Sequence, residues 1–141
     1  DIGKIGCVLN LNRPGQLTQT EYEIFKMHPG YGREILEPIK FLHKLVPGVY
    51  CHHERWDGRG YPAGLARADI PLIARIISVA DTYDAMTSDR SYRRALPHEV
   101  AVNEITRCAG SQFDPDCAHP FLSAIEVERE ERSARGEPVP E

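Results

Sequence analysis

The sequence contains no long apolar run and no excess of basic residues. A membrane-spanning helix needs about 18 or more consecutive apolar residues, and no stretch of the 141 residues approaches that length. No basic segment followed by an apolar one opens the chain, so a secretory signal is not expected. The net charge of -4 argues against binding of duplex nucleic acid, which requires a basic surface. We therefore expect a cytoplasmic protein without a membrane span.

Closely spaced cysteines are also missing. The four cysteines, Cys7, Cys51, Cys108 and Cys117, lie far apart and form no CxxC motif. Without a secretory signal, this spacing predicts reduced thiols in the core rather than a disulfide framework. Cys51 adjoins His52, so a role as metal ligand stays open as a minor alternative to a buried thiol.

The composition is that of an ordinary globular domain, with 41% hydrophobic and 27% charged residues. The length corresponds to a single domain with one core. No segment alternates apolar and polar residues for long enough to predict a strand, whereas short amphipathic segments recur between prolines and glycines. The sequence therefore predicts an all-α fold.

Capping residues and prolines place the helix boundaries. Thr18 and Glu21 form a capping box that should begin a helix, Pro38 should end one, and Pro47 fits a first helical turn. Residues 12–15 read as a turn, and the apolar-poor tail, residues 136–141, is expected to be disordered. The predicted helices cover the end of a helix at 1–9 and then 18–27, 30–37, 39–45, 47 to just before Gly58, 71–87, 98–109 and 115–132.

A long loop is predicted between Trp56 and Pro71, because this stretch contains three glycines and an internal proline. Loops of this length within a compact domain are usually functional. Its residues Gly58, Gly60, Tyr61 and Pro62 leave two interpretations open, a purely structural loop and a loop that recognises a substrate or partner.

Metal-binding chemistry is suggested by His52 and His53. Taken alone, such a pair more often consists of one core and one solvated histidine. However, His28 closes an earlier predicted helix, Asp1 opens the chain, and Asp81 falls on the apolar face of the helix 71–87, where an unpaired carboxylate would be costly. A metal would relieve this burial. Imidazole together with carboxylate suits Zn, Mn or Fe rather than Mg.

Five motifs follow one another along the chain: Asp1-Ile-Gly-Lys4, His28, His52 to Pro62, Ala74 to Arg93, and Gly110 to Pro115. In type and order they resemble the motifs of the HD-GYP family, a branch of the HD superfamily, over about residues 1–122. The resemblance implies a compact HD-type helical bundle of about six to seven helices with a long Gly-Tyr-Pro loop.

The resemblance also implies a metal centre. Its ligands in this chain would be Asp1, His28, His52, His53 and Asp81, with Asp1 bridging two metals. Two or three divalent ions are expected, Fe or Mn in preference to Zn or Mg. The family's histidine of the HD pair would precede Asp1, and two further ligands of three-metal members would also lie upstream. We therefore expect the chain to be a fragment that shows little or no hydrolysis by itself.

Substrate contacts are implied for Lys4, Tyr61, Arg90 and Arg93. Lys4 lies three residues after Asp1, which on a helix is the same side, and the resemblance assigns it to a substrate phosphate; a solvated lysine is the alternative. Arg90 and Arg93 have the spacing of a basic clamp for phosphate and guanine, although arginines of an unrelated sequence would be surface charges. The catalytic roles would fall on Asp1 and Lys4.

The expected function is metal-assisted hydrolysis of cyclic di-GMP to linear pGpG, GMP or both, in bacterial second-messenger signalling. Two alternatives remain: a degenerate domain that binds the nucleotide or a GGDEF-domain partner, and a broader HD-type phosphohydrolase. Residues 1–125 would form the phosphodiesterase domain, lacking its first helices, and residues 126–141 a helical extension with a disordered tail. An upstream receiver or sensor domain is expected in the parent chain.

Overall fold

The computed structural model describes residues 1–7, 15–90 and 93–138. Most of the turn predicted at 12–15, part of the motif that ends at Arg93, and the last residues of the predicted disordered tail lie outside these ranges. The described residues form six α-helices and three short 3-10 helices. The α-helices are α1 (Gln19–Phe25), α2 (His28–Leu36), α3 (Val46–Cys51), α4 (Leu72–Thr87), α5 (His98–Cys108) and α6 (Pro115–Ala134), and the 3-10 helices are Ile2–Gly6, Lys40–Leu42 and Arg67–Asp69.

The all-α prediction is confirmed. Within the described ranges, β-type pairing is limited to two isolated bridges, between Arg90 and Arg93 and between Ala109 and Phe113. No helix in these ranges is long and apolar enough to cross a bilayer.

Side-chain caps explain where two of the helices begin. In α1, the Thr18 hydroxyl accepts a hydrogen bond from the Glu21 backbone, and the Glu21 carboxylate accepts one from the Thr18 N–H in return. In α6, the Asp114 carboxylate accepts from the Asp116 N–H, and Pro115 fits the first turn because it has no N–H to leave unpaired. The sequence predicted both starts correctly.

Three helical predictions are wrong in type or length. Of the helix end predicted at 1–9, the described segment Ile2–Gly6 is a 3-10 helix rather than an α-helix, and of residues 39–45 only Lys40–Leu42 is helical, again as 3-10. The hydrogen bonds around both segments join residues three apart rather than four. In addition, α3 ends at Cys51 instead of continuing towards Gly58, because the Glu54 N–H closes a tight turn onto the Cys51 carbonyl.

Two buried apolar clusters lie on either side of α4, the longest of the central helices. The larger cluster joins α4 to α5 and α6, and the smaller joins α4 to α3 and to Ile70, two residues before α4 begins. All four cysteines are buried free thiols, as predicted, and burial raises the pKa of Cys51. The larger cluster consists of Val79, Ile105, Cys108, Phe113, Cys117 and Ala118, and the smaller of Cys51, Ile70 and Ala74.

The first 3-10 helix packs against α2 at two glycines. A Cβ atom on Gly3 would lie 1.9 Å from the His28 carbonyl oxygen and 2.4 Å from the Gly32 nitrogen. Only glycine permits this approach, since nothing larger than a hydrogen atom fits between the two backbones. The contact brings the start of the chain to the first turn of α2.

Candidate metal centre and adjoining cavity

Four of the predicted metal ligands converge on one point. Asp1, His28, His52 and His53 each offer a ligand atom, and these atoms lie within 4.8 Å of one another. Asp1 precedes the first 3-10 helix, His28 is the first residue of α2, and His52 follows the last residue of α3. Because α3 ends before the histidine pair, His52 and His53 do not diverge as neighbours on a helix would, and their ring centroids are only 4.1 Å apart.

Backbone carbonyls orient two of the imidazoles. His28 Nδ1 lies 2.8 Å from the Phe25 oxygen, and His52 Nδ1 lies 2.7 Å from the Val49 oxygen. A carbonyl can only accept, so each Nδ1 carries the proton and each Nε2 presents a lone pair. The two Nε2 atoms face each other at 3.4 Å. Two lone pairs at this distance repel, and a shared cation would remove the repulsion.

The third histidine completes the set. His53 Nε2 is buried, and it has no hydrogen-bond partner in the described part of the chain. The His53 ring stacks on Tyr61, with centroids 4.9 Å apart and an interplanar angle of 27°. A buried nitrogen without a partner is costly unless something binds it. Its position beside His28 and His52 fits a nitrogen that could coordinate a metal ion together with them.

Burial keeps these imidazoles neutral. It lowers the pKa of His28 to about 4 and that of His53 to about 3, and it also lowers the pKa of His52. Neutral imidazole is the form that coordinates metals. The carboxylate of Asp1 places a negative charge next to them: its Oδ1 lies 3.5 Å from His28 Nε2 and 3.9 Å from His52 Nε2.

The residues therefore fit a divalent metal ion. Three neutral imidazoles and one carboxylate match the preferences of transition metals, and the carbonyls behind His28 and His52 are the outer-shell partners that metal-binding histidines usually have. Lys4 Nζ lies 2.6 Å from Asp1 Oδ2, so this oxygen points towards the ammonium while Oδ1 points towards the histidines.

A cavity of about 320 Å³ adjoins the cluster, which is within the usual size range of ligand sites. It lies between the Gly-Tyr-Pro loop and the polar side of α4. Its lining consists of Tyr22, His52, His53, Glu54, Arg55, Arg59, Gly60, Tyr61, Ser78, Asp81, Thr82 and Gln112.

Asp81 lines this cavity but is not one of the four converging ligands. The prediction that it lies on the buried face of α4 needs correction, because Asp81 is half-buried, whereas Ala74 and Val79 are the buried residues of the helix. Asp81 thus lines the same cavity as His52 and His53. Ser78, one helical turn before Asp81, lines the same wall, and its spacing of three residues was the sequence signal that could have identified it.

The predicted substrate-binding residues occupy different surroundings. Tyr61 lines the cavity, and burial raises its pKa, so the phenol keeps its proton. The Arg90 guanidinium lies 3.5 Å from the Asp84 carboxylate, and the Arg93 guanidinium donates to the carbonyls of Ala85 and Met86 at the end of α4. Lys4 lies against Asp1 and over the Phe25 ring.

Glu54 is a site residue that the sequence did not reveal. Its side chain is buried, and its two carboxylate oxygens accept hydrogen bonds from three consecutive backbone N–H groups, those of Ala63, Gly64 and Leu65, at 2.7, 3.1 and 3.0 Å. This arrangement satisfies the buried carboxylate and fixes the far side of the loop. The only available signal was its position directly after the histidine pair.

Comparison with known proteins identifies the family. The sequence model of the HD domain family matches residues 3–117. A cyclic di-GMP phosphodiesterase of Thermotoga maritima is 43% identical over 127 residues, which are 86% of this chain and 34% of that protein. A cyclic di-GMP phosphodiesterase of Vibrio cholerae is 38% identical over 134 residues, 89% of this chain and 27% of that protein.

Relatives with another named substrate also occur. A 3'3'-cGAMP-specific phosphodiesterase of Vibrio cholerae is 35% identical over 129 residues, 90% of this chain and 28% of that protein. A solved structure of a cyclic GMP-AMP specific phosphodiesterase of the same species superposes with a TM-score of 0.65 at 23% identity, over 82% of this chain and 27% of that one, and confirms the fold. The chain thus spans about a third or less of the length of these relatives. The family-model match and these relatives show that the chain belongs to the HD domain family, in the HD-GYP branch that its motifs resemble.

Proposed function

We propose that this chain is the phosphodiesterase unit of a protein that hydrolyses cyclic di-GMP to linear pGpG, GMP or both. The observation that carries the proposal is the convergence of three neutral histidines and a carboxylate beside a cavity. The named substrates of the relatives support it, because they are cyclic dinucleotides, and cyclic di-GMP is named for the relatives that are 43% and 38% identical to this chain.

The cluster residues would hold the metal. Asp1, His28, His52 and His53 are proposed as ligands, with Asp81 added from the adjoining wall of the cavity. Divalent ions bound there would polarise the phosphodiester and activate water for attack on phosphorus. The proposal includes two or three ions, and Fe or Mn in preference to Zn or Mg.

The remaining site residues would act on the substrate directly. Lys4, three residues after Asp1, would neutralise negative charge on a phosphate oxygen of the substrate. Arg90 and Arg93 would contribute further positive charge. Tyr61 is proposed to bind the substrate while its ring holds His53 in position, since the two rings already stack. Its protonated phenol can donate a hydrogen bond to a ligand oxygen.

The setting of the protein is proposed from the same resemblance. We expect it to act in bacterial signalling in the cytoplasm, joined to an upstream receiver or sensor domain. GGDEF-domain proteins are the expected protein partners, with the Gly-Tyr-Pro loop as a contact. Pulldown of a GGDEF-domain protein by the wild type but not by a variant altered in this loop would support that part.

Turnover of cyclic di-GMP by the native protein that carries this chain tests the proposal. With Mn²⁺ or Fe²⁺ present, chromatography should show linear pGpG or GMP. The variant Asp81→Ala should lose at least the roughly 10- to 100-fold that changes around a metal site typically cost. Asp69→Ala is the matched control, because Asp69 is an exposed aspartate in the third 3-10 helix and does not line the cavity.

The outcomes separate the proposal from its rivals. Tight binding of cyclic di-GMP by the metal-loaded protein without any product would instead favour a binding domain. Hydrolysis of phosphomonoesters in preference to cyclic dinucleotides would favour a broader phosphohydrolase. Equal rates for Asp81→Ala and wild type at equal metal content would remove Asp81 from the site.

A further inference from the structure

The Gly-Tyr-Pro loop is held rigidly against the body of the protein. Besides the Glu54 carboxylate, the N–H groups of Trp56 and Asp57 donate to the carbonyls of Gln112 and Ser111, at 3.0 and 2.8 Å. A Cβ on Gly60 would lie 2.4 Å from the Arg55 nitrogen, so the loop folds back on its own backbone with no room to spare. Side chains on this loop are therefore presented to the cavity from a fixed backbone.

Two arginines of the loop, Arg55 and Arg59, line the cavity, but only one has a guanidinium that can bind a ligand. The Arg55 guanidinium is already paired, because it makes two hydrogen bonds to the Asp57 carboxylate, at 3.0 and 2.7 Å, and a third to the Gln112 side chain. The Arg55 guanidinium in turn holds the pKa of Asp57 at about 2. This pair contributes no net charge to the cavity.

Arg59 is fixed by its backbone but not by its side chain. Its N–H donates to the Asp57 carboxylate at 3.1 Å, so the residue has a defined position on the loop. Its exposed guanidinium makes no hydrogen bond within the described residues, yet it lines the same cavity as His52, His53 and Asp81. The Glu54 carboxylate already accepts three backbone N–H groups, so it is not available to pair with Arg59. Of the two arginines that line the cavity, Arg59 is therefore the one whose guanidinium can still donate to a ligand.

We propose, on the basis of the function proposed above, that Arg59 binds a phosphate group of the cyclic dinucleotide. A cyclic dinucleotide carries two phosphodiester groups, and only one can be positioned for cleavage at a time. The other remains charged and must be neutralised by the cavity wall. A guanidinium suits this task because its planar donors match two phosphate oxygens. Arg59 is thus a substrate-binding residue supplied by the loop.

Steady-state kinetics of Arg59→Ala in the native protein test this inference. Losing a charge-assisted hydrogen bond should raise KM roughly 10- to 100-fold, while kcat and the bound metal stay near the wild-type values. Arg59→Lys should recover only part of the loss, because an ammonium keeps the charge but not the paired donors. Arg67→Ala is the control, since it removes an exposed arginine of the same loop that does not line the cavity.

Comparison of ligands separates a phosphate contact from a base contact. Cyclic di-GMP, 3'3'-cGAMP and cyclic di-AMP are tested as substrates or as competitive inhibitors of the wild type and of Arg59→Ala. A phosphate contact predicts that the variant weakens all of them by the same factor. A factor that falls with the number of guanines, or an Arg59→Ala variant as efficient as Arg67→Ala, would overturn the inference. Failure of the proposed function would look different, because the wild type itself would then hydrolyse none of them.

Discussion

At the level of single atoms, the histidines of the cluster are arranged as metal ligands would be. Carbonyl oxygens of Phe25 and Val49 fix the protons of His28 and His52 on Nδ1, which leaves both Nε2 lone pairs facing the centre. His53 adds a buried nitrogen without a partner among the described residues. Such a set is unfavourable without a cation and favourable with one, so metal binding should stabilise the fold as well as support chemistry.

The neutral histidines make stability depend on pH in the metal-free protein. The unfolded chain takes up protons on these side chains near pH 6.5, whereas the folded chain resists protonation until about pH 4 at His28 and about pH 3 at His53. Between pH 6.5 and 4 the unfolded state therefore binds more protons. We expect the free energy of unfolding to be highest above pH 6.5 and to fall as the pH is lowered through this window.

Urea titrations at pH 7.5, 5.5 and 4.5 measure this effect. The double variant His28→Gln, His53→Gln should show a shallower loss of stability than wild type over the same pH values, since it lacks both groups. Identical slopes for the two proteins would show that the histidines are not held neutral in the folded state.

At this scale the sequence identified the chemistry but not its geometry. The residue types at Asp1, His28, His52 and His53 were enough to predict a metal site. The direction of each ring depends on carbonyls from preceding turns, which no spacing reveals. The role inferred for Arg59 likewise depends on which neighbouring charges are already paired.

Among the elements, the contact between the first 3-10 helix and α2 positions the cluster. Gly3 lies against the backbone of α2, and a Cβ on Gly32 would lie 2.6 Å from a Val49 methyl group and 3.6 Å from the Gly3 nitrogen, so α3 also approaches α2 at this point. The three elements that carry Asp1, His28 and His52 thus meet at two glycines. A side chain at either glycine would separate the ligands.

The variant Gly3→Ala should therefore weaken metal binding. The added methyl would lie within 1.9 Å of the His28 carbonyl oxygen, so the 3-10 helix must shift and carry Asp1 away from the histidines. We expect metal affinity to fall at least about tenfold, as for other changes that misplace metal ligands. Competition with a metal-binding dye measures it.

Gly30→Ala is the control for this change. Gly30 lies in α2, and its added Cβ would meet no atom within 4 Å. Alanine is preferred over glycine within helices by about 0.5–1 kcal/mol, so this variant should bind metal normally and be at least as stable as wild type. Equal metal affinities for the two variants would show that the close approach at Gly3 does not position the site.

The sequence predicted elements best where side-chain chemistry sets their ends. The capping box at Thr18 located α1 because this signal is local, and the helix predicted from residue 115 begins where Asp114 caps α6. The choice between α and 3-10 hydrogen bonding at Ile2–Gly6, which packs against α2, and at Lys40–Leu42 could not be read from spacing. The end of α3 depends on Glu54 turning into the loop.

At the scale of the whole molecule, an ion pair between the partly buried Arg75 and the buried Asp114 links the loop side of the site to the core. Arg75 of α4 donates to the Asp114 carboxylate at 2.6 Å, and its guanidinium lies 5.9 Å from the centre of the Trp56 ring. Asp114 also caps α6, and its neighbour Phe113 is buried in the larger cluster. The ion pair therefore connects the base of the loop, α4 and α6. This connection fixes the positions of the cavity walls relative to one another.

We propose that Asp1, His28, His52 and His53 hold a divalent metal at the edge of the cavity. Anomalous X-ray scattering from crystals of the native protein grown with Mn²⁺ or Fe²⁺ locates such an ion. We expect an anomalous peak within bonding distance of the Nε2 atoms of these histidines and of the Asp1 carboxylate. Crystals of fully active protein whose metal peaks all lie away from these four side chains would contradict it.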